Sequence, residues 1–172
     1  MQVRAEQEGD QAGISRVLTA AFRDPDNPDL EPVEVGLVAA LRASAAWLPT
    51  LSLVAIDTDR VVGQVLCTRA WVDQTPVLAL GPIGVEPSRQ GTGIGSLLMT
   101  TVIGVADHRG EPLIGLVGSP GYYSKFGFVP GTNLGITPPI PDWESFFQVK
   151  ALDAYRKVAA GRFEYAEPFY DI

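Results

Sequence analysis

The chain has one cysteine, Cys67, and one histidine, His108, among its 172 residues. A lone cysteine excludes an internal disulfide, and with a single histidine beside it no Cys/His zinc site can be assembled, so no metal is expected. The place expected for Cys67 is a buried strand position, where a thiol packs as a small apolar group. Positive charge is also short: 13 Lys and Arg against 20 Asp and Glu leave a net charge of −7. Binding to nucleic acid needs a basic face that displaces counterions, and none is expected. A neutral or cationic partner suits this balance better. No apolar run approaches the roughly 20 residues that cross a bilayer, and "MQVRAEQEGD" lacks the apolar stretch of a signal peptide. The expectation is a cytoplasmic protein with no membrane contact.

What is present has the make-up of a folded globular chain. Apolar residues are 46% and charged residues 19%, which argues against extended disorder. A length of 172 residues suits a single domain, 1–172, built on one core. There are no repeats, no low-complexity segment and no domain boundary. "VRAE" suits a short first strand. Asp10 is placed to cap a helix in which Ile14, Val17, Leu18, Ala21 and Phe22 share one face. Pro32 suits the first turn of a second helix over "VEVGLVAALRAS". "LSLVAI", the turn "DTDR" and "VVGQVLCTRAWV" read as a hairpin, and "PVLALGPIGV" as a strand buried on both faces. A helix over "GSLLMTTVIGVAD", the strand "LIGLV", a short turn-and-helix "SPGYYSKFGF", a strand in "FFQVKAL" and an aromatic tail "FEYAEPFYDI" complete the order. Strands that first meander and then alternate with helices predict an α/β or α+β fold with a mixed sheet. The strand, loop, helix and strand over 76–118 predict a right-handed crossover between parallel strands.

The loop in that crossover, "RQGTGIGS" at 89–96, carries three glycines at alternate positions. Glycine costs backbone entropy and packing surface, so three so close together call for a positive φ or a close visitor. The first turn of the following helix has N–H groups without internal partners and the positive end of the helix dipole. Without Cβ atoms at Gly91, Gly93 and Gly95, a diphosphate can rest on those donors, with the Thr92 and Ser96 hydroxyls in reach. A G-x-x-x-x-G-K-[ST] loop is excluded because no lysine is present. A dinucleotide G-x-G-x-x-G fingerprint counted from Gly91 ends on Ser96, and Glu111, about 20 residues on, precedes the next strand and is badly placed for a ribose. A purely structural reading, in which the glycines serve helix-to-strand packing, stays open from the loop alone.

The remaining pattern is Q-x-x-G-x-G at Gln90, Gly93 and Gly95. It resembles the coenzyme A pyrophosphate loop of the GNAT superfamily of N-acetyltransferases. "LGPIGVEPSRQGTGIGSLLM" is similar to that superfamily's fourth strand, loop and third helix, and "YYSKFGF" to its later Y-x-K-x-G-F segment. Element order matches from residue 2 to about 130, and the likeness is greatest to a bacterial branch with YY-x-[RK]-FGF. The resemblance implies an α/β (α+β) fold with a mostly antiparallel sheet of six to seven strands, helices on both faces and a splayed central parallel pair. Gly81 and Pro82 agree with that splay, because proline donates no ladder bond and glycine permits a bulge.

By the same likeness the acyl donor is acetyl-CoA, bound by Ile83, Gly84 and Val85 on the splayed strand, by Gln90, Gly91, Thr92, Gly93, Ile94, Gly95 and Ser96 in the loop, and by Ser119. The pantetheine arm runs beside Ile83 and Val85, and a backbone N–H near Val85 meets the oxyanion. Tyr123 matches the superfamily's tyrosine that protonates the departing thiolate. A phenol of pKa about 10 can do this without itself being ionised. Tyr122 is expected to point into the core, and Lys125 and Arg109 to be solvated surface charges. The base is not legible: the fourth strand carries no carboxylate, and Glu86, Glu31, Glu34 or a water chain are the candidates. Without a strong base, raised pH should favour the reaction. The acceptor, an amine on a small molecule or peptide, would be held by residues 23–36 and 131–145, with Trp47, Trp71 and Trp143 expected mainly in the core. The resemblance allows a homodimer. An N-acetyltransferase working through a ternary complex is the leading reading. A non-catalytic acyl-CoA-binding module is the alternative, and a nucleotide-binding protein the third.

Overall fold

The computed structural model describes residues 1–156 and 160–172. The first apolar stripe forms helix α1, Gln11–Phe22, burying Ile14, Val17 and Leu18 as the spacing requires. Asp10 precedes it without capping it. Its carboxylate reaches backward, accepting the Gln7 N–H at 2.7 Å and both Arg4 guanidinium nitrogens at 2.6 and 3.1 Å. The Arg4 hydrogen bonds hold the Asp10 carboxyl below the usual range. Helix α2, Val33–Arg42, begins directly after Pro32, whose fixed φ prepares the first turn.

Strands β1 (Gln2–Ala5), β2 (Ser52–Asp57), β3 (Arg60–Val72) and β4 (Thr75–Val85) form an antiparallel meander. The β2–β3 turn holds Thr58 and Asp59 at φ 50° and 62°, the two-residue hairpin geometry whose twist matches its strands. Helix α3, Ile94–His108, then leads to β5, Leu113–Val117, which lies parallel to β4. Helix α4, Pro120–Tyr123, is followed by β6 (Val129–Pro130), β7 (Ile136–Thr137), β8 (Phe147–Ala151) and β9 (Gly161–Glu164). Among the described residues the sheet has nine strands, ordered β1-β2-β3-β4-β5-β8-β6, with β9 against β3 and β7. The count exceeds the expected six to seven because β6, β7 and β9 are pieces of two to four residues, too short to show alternation.

Period-two alternation divides the core between the sheet's faces. Leu53, Val65, Leu78 and Leu80 pack beneath Leu98, Met99 and Val102 of α3. Val54 and Leu66 meet Ile14 and Leu18 of α1 and Leu37 and Leu41 of α2 on the other. Each of these large side chains contributes about 1.5–3 kcal/mol by leaving water. The second face continues into the C-terminal segment through Ala79, Phe147 and Phe163. Gly115 makes room for that extension, since a Cβ there would lie 2.5 Å from the Phe163 ring. Cys67 is buried in β3, and burial pushes its thiol up.

Two irregularities in β4 position the site. The parallel pair β4–β5 is in register only at Leu78–Ile114 and Ala79–Gly115, although β4 runs on to Val85. Against β3, Val65 pairs with Ile83 and Cys67 with Leu80, so Gly81 and Pro82 together oppose Leu66 in a bulge. The carboxyl-terminal half of β4 therefore leaves β5, as the Gly-Pro pair implied.

Candidate active site

A cleft of about 370 Å³ lies where β4 ends and α3 begins, lined by Ile83, Gly84, Val85, Gln90, Gly91, Gly93, Gly95, Ser96, Tyr122 and Lys125. Its floor is mostly main chain. Gly91 and Gly93 hold φ values of 74° and 91°, left-handed conformations that side chains resist. A Cβ on either would meet nothing within 4 Å, so both present bare backbone to open space. Gly95 has a different reason: a Cβ there would lie 2.9 Å from the Tyr122 hydroxyl. Gln90 folds back, its Nε2 donating to the Val85 carbonyl at 3.1 Å, which ties the loop to the end of β4. The first turn of α3 carries no acidic residue, so its free N–H groups and dipole face the cleft without an opposing charge. The ammonium of Lys125 stands 4.2 Å from the Tyr122 ring centre at the same cleft. Diphosphate, with its charge and many acceptor oxygens, is the chemistry this surface fits.

Three residues expected to bind the coenzyme, two in the loop and Ser119 beyond it, line neither this cleft nor the second cavity. The Thr92 hydroxyl donates to the Arg89 carbonyl at 2.5 Å. Ile94 is buried in the core under α3, and Ser119 is the exposed residue that starts α4, its carbonyl accepting the Tyr122 and Tyr123 N–H groups. Tyr122 packs against the core as expected, and beyond that expectation it also lines the cleft, half-buried, with Lys125 over its ring. Lys125 is exposed as expected, yet it borders this cleft. Arg109 bonds Thr50 and Glu111 far from the loop.

A second cavity, about 430 Å³, opens on the other side of the β4 bulge. It shares Ile83 with the first cleft, so the two meet at the gap between β4 and β5. Leu80, Gly81 and Pro82 form its edge along the bulge, and Tyr123 faces into it. Adjacent residues on a helical turn diverge by about 100°, and accordingly Tyr122 and Tyr123 serve different cavities, their rings perpendicular at 4.9 Å. Burial, with Tyr122 beside it, pushes the Tyr123 phenol up to about 12. Among the described residues its hydroxyl makes no hydrogen bond, so it is free to donate within the second cavity.

Of the candidate carboxylates, only Glu34 lines the second cavity. Glu31 is exposed outside it. Glu86 lines neither cavity, because Arg16 holds its Oε1 at 2.9 Å and Arg60 binds the same oxygen. Glu111 is structural: burial would raise its carboxyl, but the two-pronged pair with Arg69, both bonds 2.8 Å, holds it below the usual range. Trp143 lines the cavity. Trp47 packs against the α1–α2 core with Arg42 at 5.3 Å, and Trp71 borders a separate cleft. The wall that sequence reasoning missed is the tail, whose Tyr165, Phe169, Tyr170 and Ile172 all reach the cavity. The concentration of aromatics in "FEYAEPFYDI" was its one visible signal. Among the described residues no group of acidic, histidine or cysteine side chains is placed to hold a metal, and no helix is long and apolar enough to cross a membrane.

With this geometry in place, comparison with known proteins is direct. The profile of the Acetyltransferase (GNAT) family matches residues 12–128. The Escherichia coli K12 protein YjhQ, an uncharacterized N-acetyltransferase, is 29% identical over 167 residues, covering 92% of this chain and 88% of its own. The crystal structure of the E. coli GNAT family N-acetyltransferase YhbS in complex with CoA superposes with a TM-score of 0.87 at 29% identity, over 98% of this chain and 91% of that one. A GNAT family acetyltransferase from Brucella melitensis in complex with acetyl-CoA gives 0.77 at 30% identity, over 98% and 97%.

Proposed function

The chain belongs to the acetyltransferase (GNAT) family and is an acyltransferase; from that premise we propose that it passes an acetyl group from acetyl-CoA directly to a primary amine held in the second cavity. The observation that carries this reading is the meeting of the two cavities at Ile83, with adjacent tyrosines facing one each. Its relatives were crystallised with CoA and acetyl-CoA, and the first cleft fits that coenzyme: bare glycine backbone, an unopposed helix terminus and a lysine at the rim. Direct transfer agrees with the full burial of Cys67, the only thiol, in β3, where it cannot carry an acyl group. The C-terminal segment belongs to the same catalytic domain, because the tail walls the acceptor cavity.

Acetyl-CoA supplies the acetyl group as a thioester. The backbone of Gly91, Gly93 and the first turn of α3 holds the diphosphate, and Ile83 and Val85, in the half of β4 that leaves β5, line the channel toward the junction. At that junction the amine nitrogen bonds to the carbonyl carbon, the carbon–sulfur bond breaks, and the sulfur leaves as a thiol with the proton of Tyr123. The tyrosinate regains a proton from water, and the amine's proton passes to solvent. Glu86 is not the acceptor, being engaged by two arginines outside both cavities, so the proton reaches solvent through water, either directly or past Glu34 on the cavity wall.

The test is thermal unfolding with CoA, acetyl-CoA, NAD and ATP, because a ligand that binds only the folded state stabilises it by RT ln(1 + [L]/Kd). A selective rise with CoA and acetyl-CoA supports the cradle. A larger rise with NAD or ATP, or none with CoA at about a millimolar, sinks it.

A further inference from the structure

We propose that the second cavity selects a small, singly charged primary amine carried on an aromatic or similarly apolar body, and that Glu34 draws its ammonium into the cavity, where the nitrogen gives up its proton to water before the free amine attacks the thioester. The inference rests on the acetyl-transfer reading and names the acceptor that reading leaves open. Among the side chains lining the cavity Glu34 is the single charged one. It sits half-buried in the first turn of α2 and, among the described residues, makes no ion pair or side-chain hydrogen bond. Of the tail's acidic side chains, Glu164 is already engaged by Arg162 at 2.6 Å and by the Tyr170 hydroxyl at 3.0 Å, and Glu167 and Asp171 border a separate cleft. That same hydroxyl accepts the Tyr165 N–H at 3.1 Å, which fixes the tail as a wall.

The rest of the lining is apolar and ring-rich. Trp143 meets Tyr165 edge-on at 5.9 Å, Tyr165 meets Phe169 at 4.7 Å, and Phe22 and Leu37 close the helical side. A volume of about 430 Å³ holds one ring system with a short chain, not a folded peptide. Ring faces favour a flat apolar body and tolerate a cation beside them. The same lining excludes other acceptors. An amino acid would bring its carboxylate against Glu34 and apolar walls with no lysine, arginine or histidine to receive it. A polyamine or multiply charged antibiotic would bury further ammonium groups where one carboxylate is available. The overall charge of −7 draws amines toward the protein but does not choose among them.

The experiment compares phenethylamine, L-phenylalanine and spermidine at saturating acetyl-CoA, in the wild-type protein, Glu34→Gln and Glu34→Asp. Phenylalanine keeps the phenethylamine body and adds a carboxylate, so it isolates that group. The expected result is a kcat/KM for phenethylamine about tenfold or more above both others. Glu34→Gln should raise its KM about tenfold with kcat within about twofold, and Glu34→Asp should recover part of the loss. Unchanged acetyl-CoA stabilisation and unchanged unfolding temperature in both variants separate anchoring from a structural role. Preference for spermidine or phenylalanine, an unchanged KM in Glu34→Gln, or no turnover of phenethylamine while acetyl-CoA still stabilises the protein overturns the proposal and leaves the transferase reading standing. Absence of any acetyl-CoA stabilisation overturns both.

Discussion

The two cavities are of similar size, about 370 and 430 Å³, and adjoin at one residue, yet they are built in opposite ways. The first is largely a surface of main chain from the end of β4 and the loop after it, with Tyr122 and Lys125 beside it, and its glycines are fixed by φ at Gly91 and Gly93 and by the approach of Tyr122 at Gly95. The second is a chamber of side chains drawn from residue 22 to residue 172, across both helices, the β4 bulge and the tail. A main-chain surface can bind only what every such chain shares, charge and hydrogen bonds. A side-chain chamber can be reshaped one residue at a time without disturbing the fold. If the first cleft takes the coenzyme and the second the acceptor, as proposed, then the acceptor side is the one that single substitutions can retune.

The largest effect that sharpens this contrast is expected at Tyr123. Tyr123→Phe removes the proposed proton donor and leaves the ring against Phe128, so kcat should fall about 100- to 1,000-fold with the acetyl-CoA KM within about threefold. Stopped-flow or steady-state rates over pH 7 to 10 check it. A rate within about threefold of wild type would remove Tyr123 from the chemistry. With its phenol near 12, the wild-type enzyme should show no falling limb in that range.

A valine at Gly93 tests the main-chain side. It forces a β-branched residue to φ 91°, costing about 1–2 kcal/mol of stability, and it places a side chain where the backbone was bare. Acetyl-CoA should bind at least about tenfold more weakly by calorimetry, while any residual kcat at saturation stays near wild type. Weakened amine binding with intact coenzyme binding would reverse the assignment of the two cavities.

Tyr122→Phe should act more gently and on one side only. Its hydroxyl lies at the glycine loop and its ring carries Lys125, so losing the hydroxyl should raise the acetyl-CoA KM about threefold to tenfold with little change in kcat. Equal losses of kcat in Tyr122→Phe and Tyr123→Phe would mean that the pair does not divide its duties.

Legibility in the sequence follows the same division. The octapeptide 89–96, the hairpin over "DTDR", the β4 strand and its Gly-Pro bulge are local patterns, and each appears where its residues predict. The short strands β6, β7 and β9 have no periodicity to read, and they exist through tertiary pairing alone. The direction of Tyr122 depends on how a four-residue helix is docked, which spacing does not encode. Asp10 looked like a helix cap because nothing near it revealed that Arg4 and Gln7 would claim its carboxylate. The acceptor chamber was hidden for the most basic reason: contacts between residues 22, 34, 123, 143 and 169 leave no trace in neighbouring positions.

Glu86 gives the smallest expected effect, and it decides how protons leave the site. A carboxylate just past the end of β4 is an attractive base on paper, but its oxygen is shared by Arg16 and Arg60 on the surface of α1 and β3 and lines neither cavity. Glu86→Gln should therefore change kcat/KM less than about twofold, and cost about 1–2 kcal/mol of stability, because the Glu86 side chain is only 13% exposed between two arginines that are open to solvent. The pH profile is the sharper readout. If amine deprotonation falls to water, kcat/KM for an alkyl amine rises about tenfold per pH unit toward the free amine's pKa of about 10.4. That slope should be identical in wild type and Glu86→Gln. A plateau near neutral pH in the wild type that disappears in the variant would make Glu86 the base after all, acting across a distance that the arginine pair would have to open.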